Sequence, residues 1–150
     1  MLSDLPVTWE NCTLRKWLNE DFLNVAFTEE ERTALAVVTL PAGNNPEYST
    51  DPGKDTQDRV YLLSVGEAER FFTSDEDRVC GLTAYASAQG AKTNDAGACW
   101  WWLRSPGDET HDAANINFNG SVYYAGIGVN FSFCAVRPVI ALRLSVPDLQ

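Results

Sequence analysis

The run Cys99-Trp100-Trp101-Trp102-Leu103-Arg104-Ser105-Pro106-Gly107 sets three of the chain's five tryptophans side by side and closes on a Pro-Gly turn signal. Successive side chains of a strand point to opposite faces, so Trp100 and Trp102 share one face while Trp101 and Leu103 share the other. A strand that is apolar on both faces is covered on both, which predicts the central strand of a sheet. Each large aromatic buries about 150–250 Å², so three such rings contribute on the order of 10 kcal/mol before conformational entropy is counted. A ligand platform is the other use of such a run. Core is the commoner fate of indole rings, and Trp100 and Trp102 are expected to be buried.

At 150 residues the chain suits one domain, residues 1–150, able to form a core without a metal or a disulfide. A net charge of -10 disfavours phosphate backbones and anionic lipid, so nucleic acid is not an expected partner. The start, Met1 to Pro6, lacks the basic and apolar regions of a signal peptide. No run reaches the ~20 apolar residues of a membrane span, so membrane insertion is not expected either. Cys12, Cys80, Cys99 and Cys134 fit neither a CxxC metal pattern nor a small disulfide scaffold. His111 is the only histidine, and its polar setting beside Asp112 reads as solvated surface rather than a catalytic base. The residues thus give no catalytic group, no metal site and no cofactor.

Leu14, Trp17, Leu18, Phe22 and Val25 recur at helical spacing and predict an amphipathic helix from about Cys12 to Asn24. Thr28 to Glu31 and Ser64 to Glu67 are capping boxes that each open a helix. Thr83 caps a small-residue helix, Ala84 to Gln89, stopped by Gly90, whose Ala86 would allow close approach to the sheet. Strands are expected at Val37–Leu40, Arg59–Leu63, Val129–Phe133 and Val136–Leu144, the last with Pro138 at an edge or bulge. Asn44 to Asp58, without periodicity, reads as a long surface loop, ordered or mobile, whose carboxylates are more often solvated than bound to calcium. Asn115–Phe118 and Ser121–Tyr124 flank Asn119-Gly120 and form a hairpin whose two turn residues would both take positive φ. Strands gather in the second half without a repeat, so the class is α+β, with N-terminal helices packed on a twisted, mainly antiparallel sheet.

Thr8 to Asn19, Val60 to Ser64, Thr83 to Ala86, Trp100 to Gly107 and Val136-Arg137-Pro138 resemble, in that order, a bacterial domain-of-unknown-function family common in gut Firmicutes. The resemblance covers nearly the whole chain, and the tryptophan and Val-Arg-Pro motifs are its specific parts. It implies a C-type-lectin-like fold, the class that includes formylglycine-generating enzymes and the variable proteins of diversity-generating retroelements. Family members usually carry further strands before the first helix, whereas here the resemblance starts at Thr8.

From His111 to Ala135 the composition turns to Asn, Gly, Ser and aromatics, with no charged residue after Asp112. Rigid aromatics among adaptable Asn, Ser and Gly make up a binding paratope. A plain hairpin with cross-strand aromatic pairs accounts for the same composition. With Ile116, Phe118, Val122 and Tyr124 toward the core, Asn117 and Tyr123 face outward. The expected ligand-binding set is Asn117, Asn119, Tyr123, Tyr124, Asn130, Phe131 and Phe133. The resemblance adds that similar proteins are often Asn-rich where this chain has Tyr123, Tyr124, Ile127, Phe131, Phe133 and Cys134. In retroelement variable proteins, mutation at template adenines turns asparagine codons into such residues. The implied function is recognition of a protein or glycan ligand without catalysis, at a cell or phage surface, on a scaffold buried around Trp17, Trp100 and Trp102. A carbohydrate-binding or structural surface module is the alternative. A formylglycine-generating type of enzyme would require Cys99 to be paired with Cys80 or Cys134.

Overall fold

The computed structural model describes residues 6–144 and mixes α-helices with antiparallel strands. Strand β1 (Val38–Leu40) pairs with β2 (Thr56–Asp58), and β3 (Val60–Tyr61) with β7 (Val139–Ile140). The largest sheet runs β4 (Trp101–Pro106), β5 (Asp112–Ile116), β6 (Val122–Gly128), antiparallel throughout. Among the described residues no helix is long and apolar enough to cross a membrane.

All six β4 residues are buried. Trp101 and Leu103 enter one cluster with Leu63, Val65, Ala114 and Ile116, while Trp102 enters a second with Trp9, Leu18, Leu23, Val60 and Leu62. The strand is therefore covered on both faces, as its two-sided apolarity predicts. Its outer edge is covered too: Trp102 N donates to the Ala135 carbonyl (3.1 Å), Ala135 N to that of Trp100 (2.7 Å), and Arg104 N to that of Leu63 (2.9 Å). Trp100 departs from expectation. It precedes the strand and is only half-buried, packed against the Trp102 cluster.

Around Ala114 both neighbouring strands bulge. Trp102 and Pro106 pair with Asn115 and Ala113, and Tyr123 and Ile127 pair with the same two residues, so each flanking strand sets three residues against one. Gly126 makes this approach possible: its φ is +73°, and a Cβ there would stand 2.3 Å from the Ala113 carbonyl oxygen. On β4 the bulge frees Arg104 and Ser105 to bond elsewhere, and Ser105 Oγ accepts from Val65 N at 3.0 Å.

The Arg104 side chain, 1% exposed, donates to the Leu62 carbonyl (2.8 Å) and the Pro41 carbonyl (3.3 Å), and pairs with both oxygens of Glu67. Glu67 is also the closing residue of the predicted capping box: the Ser64 amide donates to its carboxylate, and its own amide to Ser64 Oγ, at the start of α4 (Val65–Phe71). Burial alone would raise the Glu67 pKa, but the Arg104 and Ser64 hydrogen bonds and the Arg104 charge outweigh it and hold the carboxyl below its ordinary range.

Near the N-terminus, α1 (Thr13–Trp17) runs through a π-helical turn, Leu18–Phe22, into α2 (Leu23–Ala26). The wider turn rotates the buried face by one residue. Leu18 and Leu23 are buried at 0% and 5%, whereas Trp17 is 38% and Val25 88% exposed. A stripe drawn at a uniform helical period therefore misplaces Val25, and Trp17 is not part of the buried scaffold. Thr28 caps α3 (Glu29–Ala34) through the predicted box, and Thr83 caps α5 (Ala84–Ala88). No residue of α5 is buried, so Ala86 does not bring that helix tightly onto the sheet.

Three further expectations change. The 44–58 stretch is an ordered surface loop that ends in a strand rather than a loop throughout: Asn45 Nδ2 donates to the Pro106 and Tyr124 carbonyls (2.8 and 2.7 Å), and Thr50 Oγ1 to that of Gly107 (2.7 Å). Its end is β2, where buried Asp58 accepts from Trp9 Nε1 (3.0 Å), Arg15 Nε (2.7 Å) and Thr56 Oγ1 (2.7 Å). Residues 129–133 form turns instead of a strand, Phe131 N reaching back to the Gly128 carbonyl at 3.0 Å. The last strand is cut to Val139–Ile140 because the chain then changes partner, with Ala36 N donating to the Ala141 carbonyl and Arg143 N to that of Ala34, both at 2.8 Å.

Trp101 is the packing residue at the centre. It is 1% exposed, its Nε1 donates to the Arg78 carbonyl (3.0 Å), and the Arg137 guanidinium lies 4.9 Å from its ring centroid. Trp101→Ala is expected to cost about 3–5 kcal/mol in urea denaturation, and Trp100→Ala measurably less. Glu67→Ala leaves a buried guanidinium unpaired and should cost about 3–5 kcal/mol at neutral pH. Because the folded-state pKa of Glu67 is lowered, its contribution is present above the unfolded carboxylate pKa and disappears as pH falls through the folded value. The gap between wild type and variant should therefore shrink in acid, and a gap independent of pH would contradict the pairing.

Candidate functional site

The β5–β6 hairpin closes through a three-residue loop, Phe118-Asn119-Gly120. Gly120 N donates to the Asn117 carbonyl and Asn117 N to that of Ser121, both at 2.9 Å. Gly120 alone takes a positive φ, +84°, so the expectation of two such residues is corrected: a turn followed by a left-handed glycine replaces the two-residue loop. Two predicted ligand residues complete this turn. Asn119 Oδ1 accepts from Ser121 N (3.1 Å) and Ser121 Oγ (2.7 Å), and Asn117 Nδ2 donates to Ser121 Oγ (3.1 Å). The tip is then fixed to the scaffold. Buried Arg78 donates through Nε to the Gly120 carbonyl (2.8 Å), and a Cβ on Gly120 would fall 1.6 Å from the Asp75 carbonyl oxygen.

Being a turn residue, Phe118 escapes strand alternation and is 40% exposed rather than in the core. It packs edge-on against Trp100 at 5.3 Å, Trp100 against Phe133 at 5.7 Å, and Phe133 against Phe131 at 5.7 Å. These four rings form a continuous row resting on the Trp102 side of the sheet. Asn119, Tyr123, Asn130 and Phe131 are exposed, while Asn117 and Phe133 are half-buried. Tyr123 lies on the Trp102 face, since both are register partners of Asn115. Tyr124 does not join them. It packs against the Trp101 cluster and donates its hydroxyl to Glu69, which together with burial pushes its pKa up to about 12.

Sequence reasoning missed Trp100 and Phe118 by assigning both to the core. The signal for Phe118 was its place directly before Asn119-Gly120, where a side chain has no strand face. It also passed over Asn115, which is fully buried with neither Nδ2 nor Oδ1 hydrogen-bonded among the described residues.

Two other places gather polar groups. A cavity of about 430 Å³ opens beside Trp9, Leu14, Leu62, Trp102 and Val129, with Thr8, Asn11, Cys12 and Asp112 among its polar lining. Cys12 is occupied in capping α1, and burial raises its thiol pKa. Glu109, His111 and Asp112 bring one ligand atom each within 4.8 Å of the others. His111 and Glu109 are solvent-exposed, as the surface reading of His111 expects, and burial, with repulsion from Asp108 and Glu109, raises Asp112. The cysteines sort by face. Cys80 packs with Cys99 against the Trp101 cluster, while Cys134 lies in the Trp102 cluster. Burial lifts Cys99 to about 11 and Cys134 to about 12, so both remain thiols near neutrality.

An α+β chain with one aromatic face and no assembled nucleophile–base pair among these sites is what the geometry defines. The chain belongs to the family described as Domain of unknown function (DUF6273), whose model matches residues 4–144. No curated protein and no solved structure matches it.

If the row sits on the scaffold rather than inside it, single changes at its outer end should cost little. Phe131→Ala and Tyr123→Ala, at positions 53% and 42% exposed, are expected to lower stability by less than about 1 kcal/mol. A melting curve showing core-sized losses would instead make them packing residues.

Proposed function

We propose that this chain is a non-catalytic recognition domain with a C-type-lectin-like fold that engages a macromolecular partner through the face formed by the β5–β6 hairpin and residues 128–133. The observation that carries this reading is the ring row Phe118, Trp100, Phe133 and Phe131, whose inner rings rest on the Trp102 cluster and whose end rings are exposed. Three of the four rings lie in a stretch that has no charged residue from 113 to 136. Exposed aromatics beside Asn, Ser and Gly supply large rigid contact area at low entropic cost, and interface energy concentrates in a few such anchors. The elevated pKa of Cys99 argues against a catalytic thiol and so against the formylglycine-generating alternative.

The relation to retroelement variable proteins is part of the same proposal, and the geometry narrows it. Tyr123 and Phe131 point outward, whereas Tyr124 and Cys134 are packed inside. Useful diversification would fall on Tyr123 and Phe131 with their neighbours Asn119 and Asn130. A genomic signature accompanies that mechanism: a nearby reverse-transcriptase gene and a near-copy of the 3′ coding segment differing only at adenines.

The binding test uses printed arrays of purified bacterial surface proteins and of glycans. A protein ligand is expected, and the Tyr123→Ala, Phe131→Ala double variant should lose its binding, each anchor contributing about 2 kcal/mol, or roughly thirtyfold in affinity. Binding confined to glycans and lost in the same variant would transfer the face to carbohydrate recognition. Binding that survives both substitutions would remove the face from the function.

A further inference from the structure

We infer that Cys80 and Cys99 are the site of a reversible intramolecular disulfide, formed by exchange with a low-molecular-weight disulfide such as oxidised glutathione. Gly81 and Ala98 form an antiparallel bridge, which sets residues 80 and 99 directly opposite each other, and Cys99 N donates to the Cys80 carbonyl at 2.8 Å. Opposed residues of an antiparallel pair have Cα atoms about 4.5–5.5 Å apart, inside the range of roughly 4.4–6.8 Å that a disulfide spans. The side chains are already turned toward one another. Both thiols reach the same Gly81 carbonyl, Cys80 Sγ at 3.3 Å and Cys99 Sγ at 3.8 Å. Both also pack on the Trp101 side of the sheet. Cys134, the other partner that a formylglycine-generating type of enzyme could use for Cys99, packs on the opposite side.

The exchange begins at Cys80, which is half-buried where Cys99 is 1% exposed. The Cys80 thiolate attacks one sulfur of oxidised glutathione, forming a mixed disulfide and releasing one glutathione. The Cys99 sulfur, giving up its proton as the bond forms, then attacks the Cys80 sulfur and releases the second. Two protein thiols are oxidised, one glutathione disulfide is reduced to two thiols, and the two cysteine protons pass to the departing thiolates.

The bond would close the excursion 81–98, which the packing holds only lightly: α5 within it has no buried residue. The same excursion carries Lys92, whose amide donates to the Phe133 carbonyl at 3.0 Å, and Cys99 directly precedes Trp100. Closing it therefore fastens the backbone beneath two members of the ring row, independently of whether that row binds a partner.

The test uses the wild-type chain and needs no substitution. The protein is equilibrated in glutathione buffers of stepped ratio, quenched with an alkylating agent under denaturing conditions, and digested with trypsin. Cleavage after Arg78, Lys92 and Arg104 separates peptide 79–92, holding Cys80, from peptide 93–104, holding Cys99. Expected are loss of two of the four free thiols and appearance of the two peptides joined, two hydrogens lighter than their sum, with reversal by dithiothreitol. Four alkylated cysteines at every ratio, a glutathione adduct on Cys80 that never resolves, or a link from Cys99 to Cys134 would each overturn the assignment.

Discussion

Strand β4 divides the molecule, and the rest of the chain is arranged to cover its two faces. Trp101 and Leu103 require one apolar cluster and Trp102 another. Its charged residue is no exception, because both terminal nitrogens of Arg104 are held, by the Glu67 carboxylate and by two backbone carbonyls from separate segments, and only Nε lacks a partner among the described residues. Those partners offset the desolvation of the buried guanidinium, whereas one stripped of Glu67 is among the most expensive groups a core can hold. The Ser64–Glu67 capping box thereby acquires a second role, starting α4 and neutralising the central strand with the same carboxylate.

This arrangement separates what must stay fixed from what can vary. The hairpin is anchored at its tip through Arg78 and Gly120 and at its base through the bulges around Ala114. Between the anchors, one face of the sheet bears a row of rings whose inner members, Trp100 and Phe133, touch the core and whose outer members, Phe118 and Phe131, face solvent. A binding surface built this way borrows rigidity from the scaffold while its outermost side chains contribute little to stability.

Much of the scaffold was legible in the sequence because its signals are local. Both capping boxes, the Asn-Gly hairpin and the two-sided tryptophan strand depend on residues a few positions apart. What was not legible depends on distant partners or on a break in periodicity. The π-helical turn moves the buried position from the Phe22/Val25 stripe to Leu23, and a uniform helical period has no means of registering that. Residues 136–144 look like one strand, yet the chain exchanges β3 for residues 34–36 partway along, which only the fold determines. Within the candidate face, alternation placed Tyr123 outward correctly. It gave Phe118 to the core because the loop has three residues instead of two. Tyr124 was counted with the ligand set, although its own alternation already turned it inward.

The central claim is that the outer face is separable from the fold it sits on. The most direct measurement is a library of this chain randomised at Asn119, Tyr123, Asn130 and Phe131, displayed and sorted for protease resistance, with a matched library at Trp101, Trp102, Leu103 and Ile116 as reference. Resistance retained by most members of the first library and lost by most of the second is the predicted result. Equal loss in both would mean that the aromatic row is simply more core, and the separation of scaffold from face would fail.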